Sequence, residues 1–263
     1  MSSNAETRRS TPTELDTRTR TVPAARRAAA MLWQLGQHPE GMTLSALARD
    51  LDVLPSTCLH IVRELVAARF VAYQSSTKRY RLGSGVLTLA RQMTHQSRFV
   101  QVAQPLLVRL SREFQVATSA QERDGEDGMV VVAAVSALPG DMAQPGTRLP
   151  MFTSASGRLL AAFNAFADDE LRARFAHAHW QDAPAVETWL KEVRAARRNG
   201  YAIDEGRYRK GVTTVAGPVF GNEETLDRAI SIMAVSAQID ARMRKNLVGA
   251  VKAAANEISQ ALR

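Results

Sequence analysis

The 263 residues carry 34 Lys plus Arg against 26 Asp plus Glu, a formal net charge of +8, which is compatible with a polyanionic partner. At roughly 100–200 residues per domain, the length predicts two domains rather than one. Cys58 stands alone, so there is no internal disulfide and no Cys/His metal spacing, and the longest wholly apolar run, Met129 to Val135, falls far short of the roughly 20 residues of a membrane helix. A cytoplasmic protein with no membrane partner, no metal and no cofactor is the expectation.

Residues 1–22 are rich in Ser, Thr and Arg with almost no apolar residues, too few to offset the entropy of ordering, and read as a flexible basic tail. Arg8 and Arg9 are followed by "STPTELDTRTRT", where an export signal would require an apolar segment. From Ala24 the pattern changes. Ala25, Ala28, Ala29, Leu32, Trp33 and Leu35 recur at helical spacing, and Gly36 with "HPEG" ends the helix. Thr43 is placed to cap a second helix, "LSALARDL", whose Leu44, Leu47, Ala48 and Leu51 share a face.

A third helix starts at Pro55, whose fixed φ and missing N–H suit the first helical position. Leu59, Val62, Leu65 and Val66 lie on one side of it, while Ser56, Thr57, His60, Arg63 and Glu64 project elsewhere. Two β-prone runs, "FVAYQ" and "RYRLG", flank "SSTK" as a hairpin with Lys78 and Arg79 at its tip. Three short helices closed by a basic hairpin follow the order of a winged helix-turn-helix, in which the third helix enters the major groove and the wing lies along the backbone. The residues expected to meet double-stranded DNA are Thr43, Ser45, Pro55, Ser56, Thr57, His60, Arg63, Lys78 and Arg79. Cys58 has no neighbouring base and reads as a packing residue.

"GSGVLTLARQMTHQ" continues as a helix whose apolar stripe suits pairing with a second copy of itself, and another helix runs from about Phe99 to Phe114. This places a DNA-binding domain at 23–83, a linker helix at 84–96 and a second domain at 97–263. In the latter, "ATSAQER" and "GMVVVAAVSA" read as a hairpin around "DGEDG". Three helices follow, then strands in "YAIDEGRYRKG", "VTTVAGPVFG" and "RAISIMAVS", and a closing amphipathic helix. Strands grouped with flanking helices indicate an α+β domain with a mostly antiparallel sheet.

Taken together, "MTLSALARDLDVLPSTCLHIVRELVAARFVAY", "KRYRLG", "LPMFTSASGRLLAAF", "VRAARRNGYAIDEGRYRKGVTTVAGPVF" and "ANEIS", in this order, resemble the IclR family of bacterial transcriptional regulators. The resemblance implies a GAF-like second domain that binds a small organic effector, often a carboxylate, and assembly as a homodimer or homotetramer. By motif position it places Ser154, Ala155, Asp204, Thr214, Ser231 and Met233 at the effector. The chain departs from the pattern at Thr214, where many members have cysteine, and at Gly206 and Arg207, where an acid is common, so its ligand is expected to differ from short oxo-acids. Ser154 also reads simply as a helix cap, and Asp204, beside Glu205 near a turn, as solvated. His177 and His179, two apart in a helix, make a poor metal pair.

Other classes remain open at this level. A small hydrolase would use Ser154 or Cys58, although "TSASGR" is not a nucleophile elbow and no histidine and acid form a recognisable set with either residue. A winged helix that binds only protein is the other alternative.

Overall fold

The structure, a computed structural model, describes residues 22–125, 128–137, 144–178, 180–223 and 225–263. The expected basic tail up to residue 21, the centre of the "DGEDG" turn and His179 lie outside the described residues. The chain forms two compact units, one ending at Arg91 and the other running from Gln92 to Arg263.

The first unit contains α1 (Pro23–Gly36), β1 (Met42–Thr43), α2 (Leu44–Asp50), α3 (Pro55–Ala67), β2 (Val71–Gln74) and β3 (Arg79–Leu82). Proline opens both α1 and α3, and Thr43 caps α2 by accepting from the Ala46 N–H at 3.3 Å. Met31 and Leu35 of α1, Leu47 and Ala48 of α2, and Cys58, Val62 and Leu65 of α3 bury one core with Val71. The strands form a small antiparallel sheet in the order β1-β3-β2. Gly83 closes the wing, its N–H donating to the Phe70 carbonyl at 2.8 Å. A Cβ there would stand 2.3 Å from the Arg69 carbonyl oxygen, so only glycine fits. Helix α4 (Ser84–Gln96) spans the division between the units and buries none of its side chains.

The second unit begins with α5 (Arg98–Phe114), β4 (Ala117–Arg123), β5 (Gly128–Ser136) and β6 (Arg148–Pro150). It continues with α6 (Ala155–Phe163), α7 (Asp168–His177), α8 (Val186–Asn199), β7 (Ala202–Glu205), β8 (Val212–Val219), β9 (Arg228–Val235) and α9 (Ala241–Leu262). The sheet is antiparallel throughout, in the order β6-β5-β4-β9-β8-β7.

Strand alternation sorts its two faces. Ala120, Ile230, Ile232 and Val215 share a core with Leu107 and Leu110 of α5 and Leu247, Val251 and Ile258 of α9. Gly217 lets α9 approach, since a Cβ at that position would lie 2.7 Å from Val251 Cγ1. The other face carries Ser119 and Gln121 of β4, Ala229, Ser231 and Met233 of β9, and Thr214 and Ala216 of β8. Ala216 and Ala229 pack there with Leu159 of α6 and Trp189 and Leu190 of α8.

Two readings of the sequence change here. "YAIDEGRYRKG" is a strand only to Glu205, because Gly206 (φ +82°) and Gly211 (φ +77°) turn the chain between β7 and β8. Strand β6, three residues long, carried too little pattern to be recognised.

Candidate functional site

On α3, Cys58, Val62 and Leu65 face the core, which leaves Ser56, His60 and Arg63 exposed at positions i, i+4 and i+7 along one edge. Pro55 is exposed at the start of that edge, and Thr57 is half-buried beside it. Exposed Ser45 on α2 lies within hydrogen-bonding distance of the Thr43 hydroxyl, 3.2 Å away, so the two sit together at the start of α2. Cys58 is buried, with its Sγ 3.9 Å from the Leu44 carbonyl oxygen, and burial pushes its thiol pKa up. Such a thiol is a packing group rather than a nucleophile.

The wing separates its two cations. Lys78 is exposed at the tip with φ +54°. Arg79 is half-buried, and its Nη1 donates to the Gly41 carbonyl at 2.6 Å, tying the wing to the segment between α1 and α2. Arg81 is exposed on the same strand, and Tyr73, half exposed, stacks on Tyr80 with ring centroids 4.8 Å apart.

In the second unit, a cavity of about 570 Å³ opens between the polar face of the sheet and the start of α6. Of the positions expected at an effector, Ser154, Thr214, Ser231 and Met233 line it. Ala155 and Asp204 do not, although both are buried nearby. Ser154 caps α6, accepting from the Gly157 N–H at 3.1 Å. The turn before it is wound tightly: Phe152 sits at φ +79°, its carbonyl accepts from Trp189 Nε1 at 3.1 Å, and Gly157 passes so close that a Cβ would stand 2.4 Å from the Phe152 nitrogen.

Asp204 shares the sheet face of its neighbour Thr214, but its carboxylate is turned to a buried arginine. Arg158 of α6 is 1% exposed and Asp204 2%. Arg158 Nη2 donates to Asp204 Oδ1 at 3.0 Å and Nη1 to the Ile203 carbonyl at 2.6 Å, while Nε lies 3.2 Å from Glu192 Oε2. The second carboxylate oxygen of Asp204 accepts from the Tyr208 N–H at 3.1 Å, and Arg207 holds the other oxygen of Glu192 at 2.6 Å. The alternative reading of Asp204 as a solvated side chain does not hold, because the carboxylate is buried against a buried guanidinium that requires a charged partner. Through the Tyr208 bond it anchors the turn that brings Tyr208 and Arg209 to the cavity.

Sequence reasoning missed the buried polar residues of the cavity wall. Ser119, Gln121 and Ser156 line it beside Ser231, and all of them are at most 3% exposed. Gln121 Nε2 lies 2.6 Å from Ser119 Oγ and 2.7 Å from Ser231 Oγ, the two hydroxyls are 3.0 Å apart, and Ser156 Oγ donates to Gln121 Oε1 at 3.1 Å. The available signal was Gln121 itself, an amide two residues beyond Ser119 in a strand otherwise set to be buried. Tyr208 also lines the cavity, its phenol pKa raised by burial. Arg209 is the single charged side chain among the described lining residues.

Among the described residues, no histidine is a hydrogen-bond partner of Ser154 or Cys58, and no group of three or more His, Cys, Asp and Glu is arranged to hold a metal. No described helix is long and apolar enough to cross a membrane.

Comparison with known proteins bears on both units. Residues 24–75 match the IclR helix-turn-helix domain, and residues 91–260 match the domain described as bacterial transcriptional regulator IclR C-terminal. The HTH-type transcriptional repressor AllR of Escherichia coli K12 is 25% identical over 248 residues, covering 91% of this chain and 90% of AllR. Among solved structures, an IclR transcriptional regulator from Alicyclobacillus acidocaldarius superposes with a TM-score of 0.80 at 24% identity, over 93% of this chain and all of that one. An IclR homolog from Microbacterium hydrocarbonoxydans complexed with 4-hydroxybenzoate superposes with a TM-score of 0.77 at 21% identity, over 91% of this chain and 99% of that one. The chain belongs to the IclR family of bacterial transcriptional regulators.

Proposed function

We propose that the protein binds a specific double-stranded DNA site through residues 23–83, with α3 in the major groove and the β2–β3 wing on the phosphates, under the control of a small anionic effector held at residues 97–263. One observation carries the DNA assignment: α3 buries Cys58, Val62 and Leu65 and leaves Ser56, His60 and Arg63 bare along a single edge. Short hydroxyls and an arginine there suit phosphates and the acceptor-rich edge of guanine. Thr43, Ser45, Pro55 and Thr57 frame that edge, and Lys78 and Arg79 supply wing charge. A DNA-binding regulator of this kind works in the cytoplasm.

The effector reading rests on the cavity. Its size suits a small organic molecule, the only charge among its described lining residues is cationic, and Ser154 opens a helix whose N-terminal N–H groups favour an anion. Thr214, Ser231 and Met233 shape the wall, while Ala155 and Asp204 act from behind it. The Microbacterium homolog carries a small carboxylate, which supports an organic acid as the ligand class here. The protein is read as a regulator without enzymatic activity, since neither Ser154 nor Cys58 has an activating base among the described residues. Exposed Leu87, Leu89 and Met93 on α4 favour pairing of two copies along the linker helix at 84–96, in a homodimer or homotetramer.

The test is fluorescence anisotropy on the DNA upstream of the protein's own gene, at moderate salt, with and without candidate acids. Preference for that DNA over a scrambled fragment is expected, with affinity altered by an acid that also raises the melting temperature. Equal affinity for both fragments removes the DNA assignment.

A further inference from the structure

The serine and glutamine groups on the cavity wall restrict which molecules can sit against them. Both Ser119 and Ser231 lie within hydrogen-bonding distance of the Gln121 amide nitrogen and accept from it. One of the two hydroxyls donates across the 3.0 Å gap to the other. This leaves one O–H, on Ser119 or on Ser231, without a partner among the described residues. Ser156 spends its proton on Gln121 Oε1, and its lone pairs accept from no donor among the described residues. In the opposite amide orientation three oxygens would lie 2.6, 2.7 and 3.0 Å apart with two serine protons between them, leaving one of these contacts without a proton, so the four groups themselves fix the amide. No ionised side chain belongs to this network.

We propose that Ser119, Gln121, Ser156 and Ser231 form a neutral floor that reads a hydroxyl or carboxamide on the effector, a group that donates and accepts at once, with the effector's negative charge placed elsewhere in the cavity. This inference rests on the cavity being the effector site. A methyl end would strip water from one donor and from the serine lone pairs without replacing it, and a carboxylate end would be desolvated against acceptors with no cation in the network. Gln121 is then the residue that sets specificity, because its amide fixes which protons face the ligand.

The experiment uses the full chain and two skeletons, benzoate and the longer naphthoate, each carrying hydroxyl, carboxamide, methyl or a second carboxylate at the end remote from the first carboxylate. Binding is measured by thermal shift and calorimetric titration. The hydroxyl or carboxamide form is expected to bind at least about tenfold more tightly than the methyl and dicarboxylate forms of the same skeleton. Gln121→Leu is expected to bring those affinities within about twofold. If that variant does not fold, Ser156→Ala, which removes a floor acceptor together with the hydroxyl that donates to Gln121 Oε1, is expected to narrow the ratio. Equal binding of all forms to the wild type, or an unchanged ratio in the variants, overturns the floor while leaving the effector cavity standing. Binding of no acid on either skeleton overturns the reading of the cavity itself.

Discussion

Asp204→Ala isolates the buried ion pair that holds α6 to β7. In the native protein the Arg158 guanidinium, 1% exposed, meets Asp204 at 3.0 Å, the Ile203 carbonyl at 2.6 Å and Glu192 at 3.2 Å. Removing one partner of such a pair costs about 3–5 kcal/mol, because the surviving charge stays buried and uncompensated. Here the guanidinium keeps the carbonyl and part of the Glu192 charge, which places the loss at the lower end, about 3 kcal/mol. For a unit of this size that corresponds to a fall in Tm of about 6–12 °C. The measurement is scanning calorimetry and urea unfolding of the wild type, Asp204→Ala, and the double variant Arg158→Met with Asp204→Leu, reading the transition of the C-terminal unit. Replacing both charges by apolar groups removes the unpaired charge, so the double variant is expected to recover much of the loss. A loss below about 1 kcal/mol in the single variant, or a double variant no better than the single, refutes the argument from an uncompensated charge.

The two wing cations differ in role. Lys78→Ala is expected to weaken binding on every DNA sequence and flatten the log–log salt slope by about 0.9 per lost phosphate contact, with Tm unchanged. Arg79→Ala is expected to lower Tm as well, by the worth of one charge-assisted hydrogen bond to Gly41, about 1.5–3 kcal/mol before solvent screening of this half-exposed group. Equal Tm values for the two variants would contradict that distinction. Gly157→Ala drives a Cβ to 2.4 Å from the Phe152 backbone, and an overpacking cost of about 1–3 kcal/mol with weakened effector binding is expected, measured by urea unfolding and calorimetric titration. Burial raises the Cys58 thiol pKa, so between its unfolded and folded values the native state holds the proton that the unfolded chain releases. Stability from this source is complete below about pH 8.5 and falls as the pH rises above it. Urea midpoints from pH 7.5 to 10 should therefore decline more steeply for the wild type than for Cys58→Ala, and parallel curves would count against it.

The DNA-facing half was legible because its signals are local. Pro55 and Thr43 announce helix starts by their own backbone chemistry, and the apolar spacing of Val62 and Leu65 leaves Ser56, His60 and Arg63 on the opposite edge whatever the surroundings. The wing tip followed from "SSTK" between two strands. The separate duties of Lys78 and Arg79 did not, since the carbonyl that engages Arg79 lies 38 residues earlier, at Gly41. The turn at Gly206 illustrates the same limit. A run of β-prone residues continues through it in the sequence, but a positive φ at Gly206 and again at Gly211 ends the strand.

The cavity was legible in position and opaque in chemistry, for one physical reason. The family resemblance implied Ser154, Thr214, Ser231 and Met233 at an effector, and they line the cavity because the strand period and a helix cap fix where their Cα atoms lie. Which polar atoms remain for a ligand depends on pairings between residues far apart in the chain. Gln121 meets Ser231 across 110 residues, and Arg158 takes Asp204 out of play across 46. The second pairing makes the first decisive: with the Asp204 carboxylate held by a guanidinium, the buried polar wall carries no ionised group, and selection there falls to the direction of hydroxyl protons.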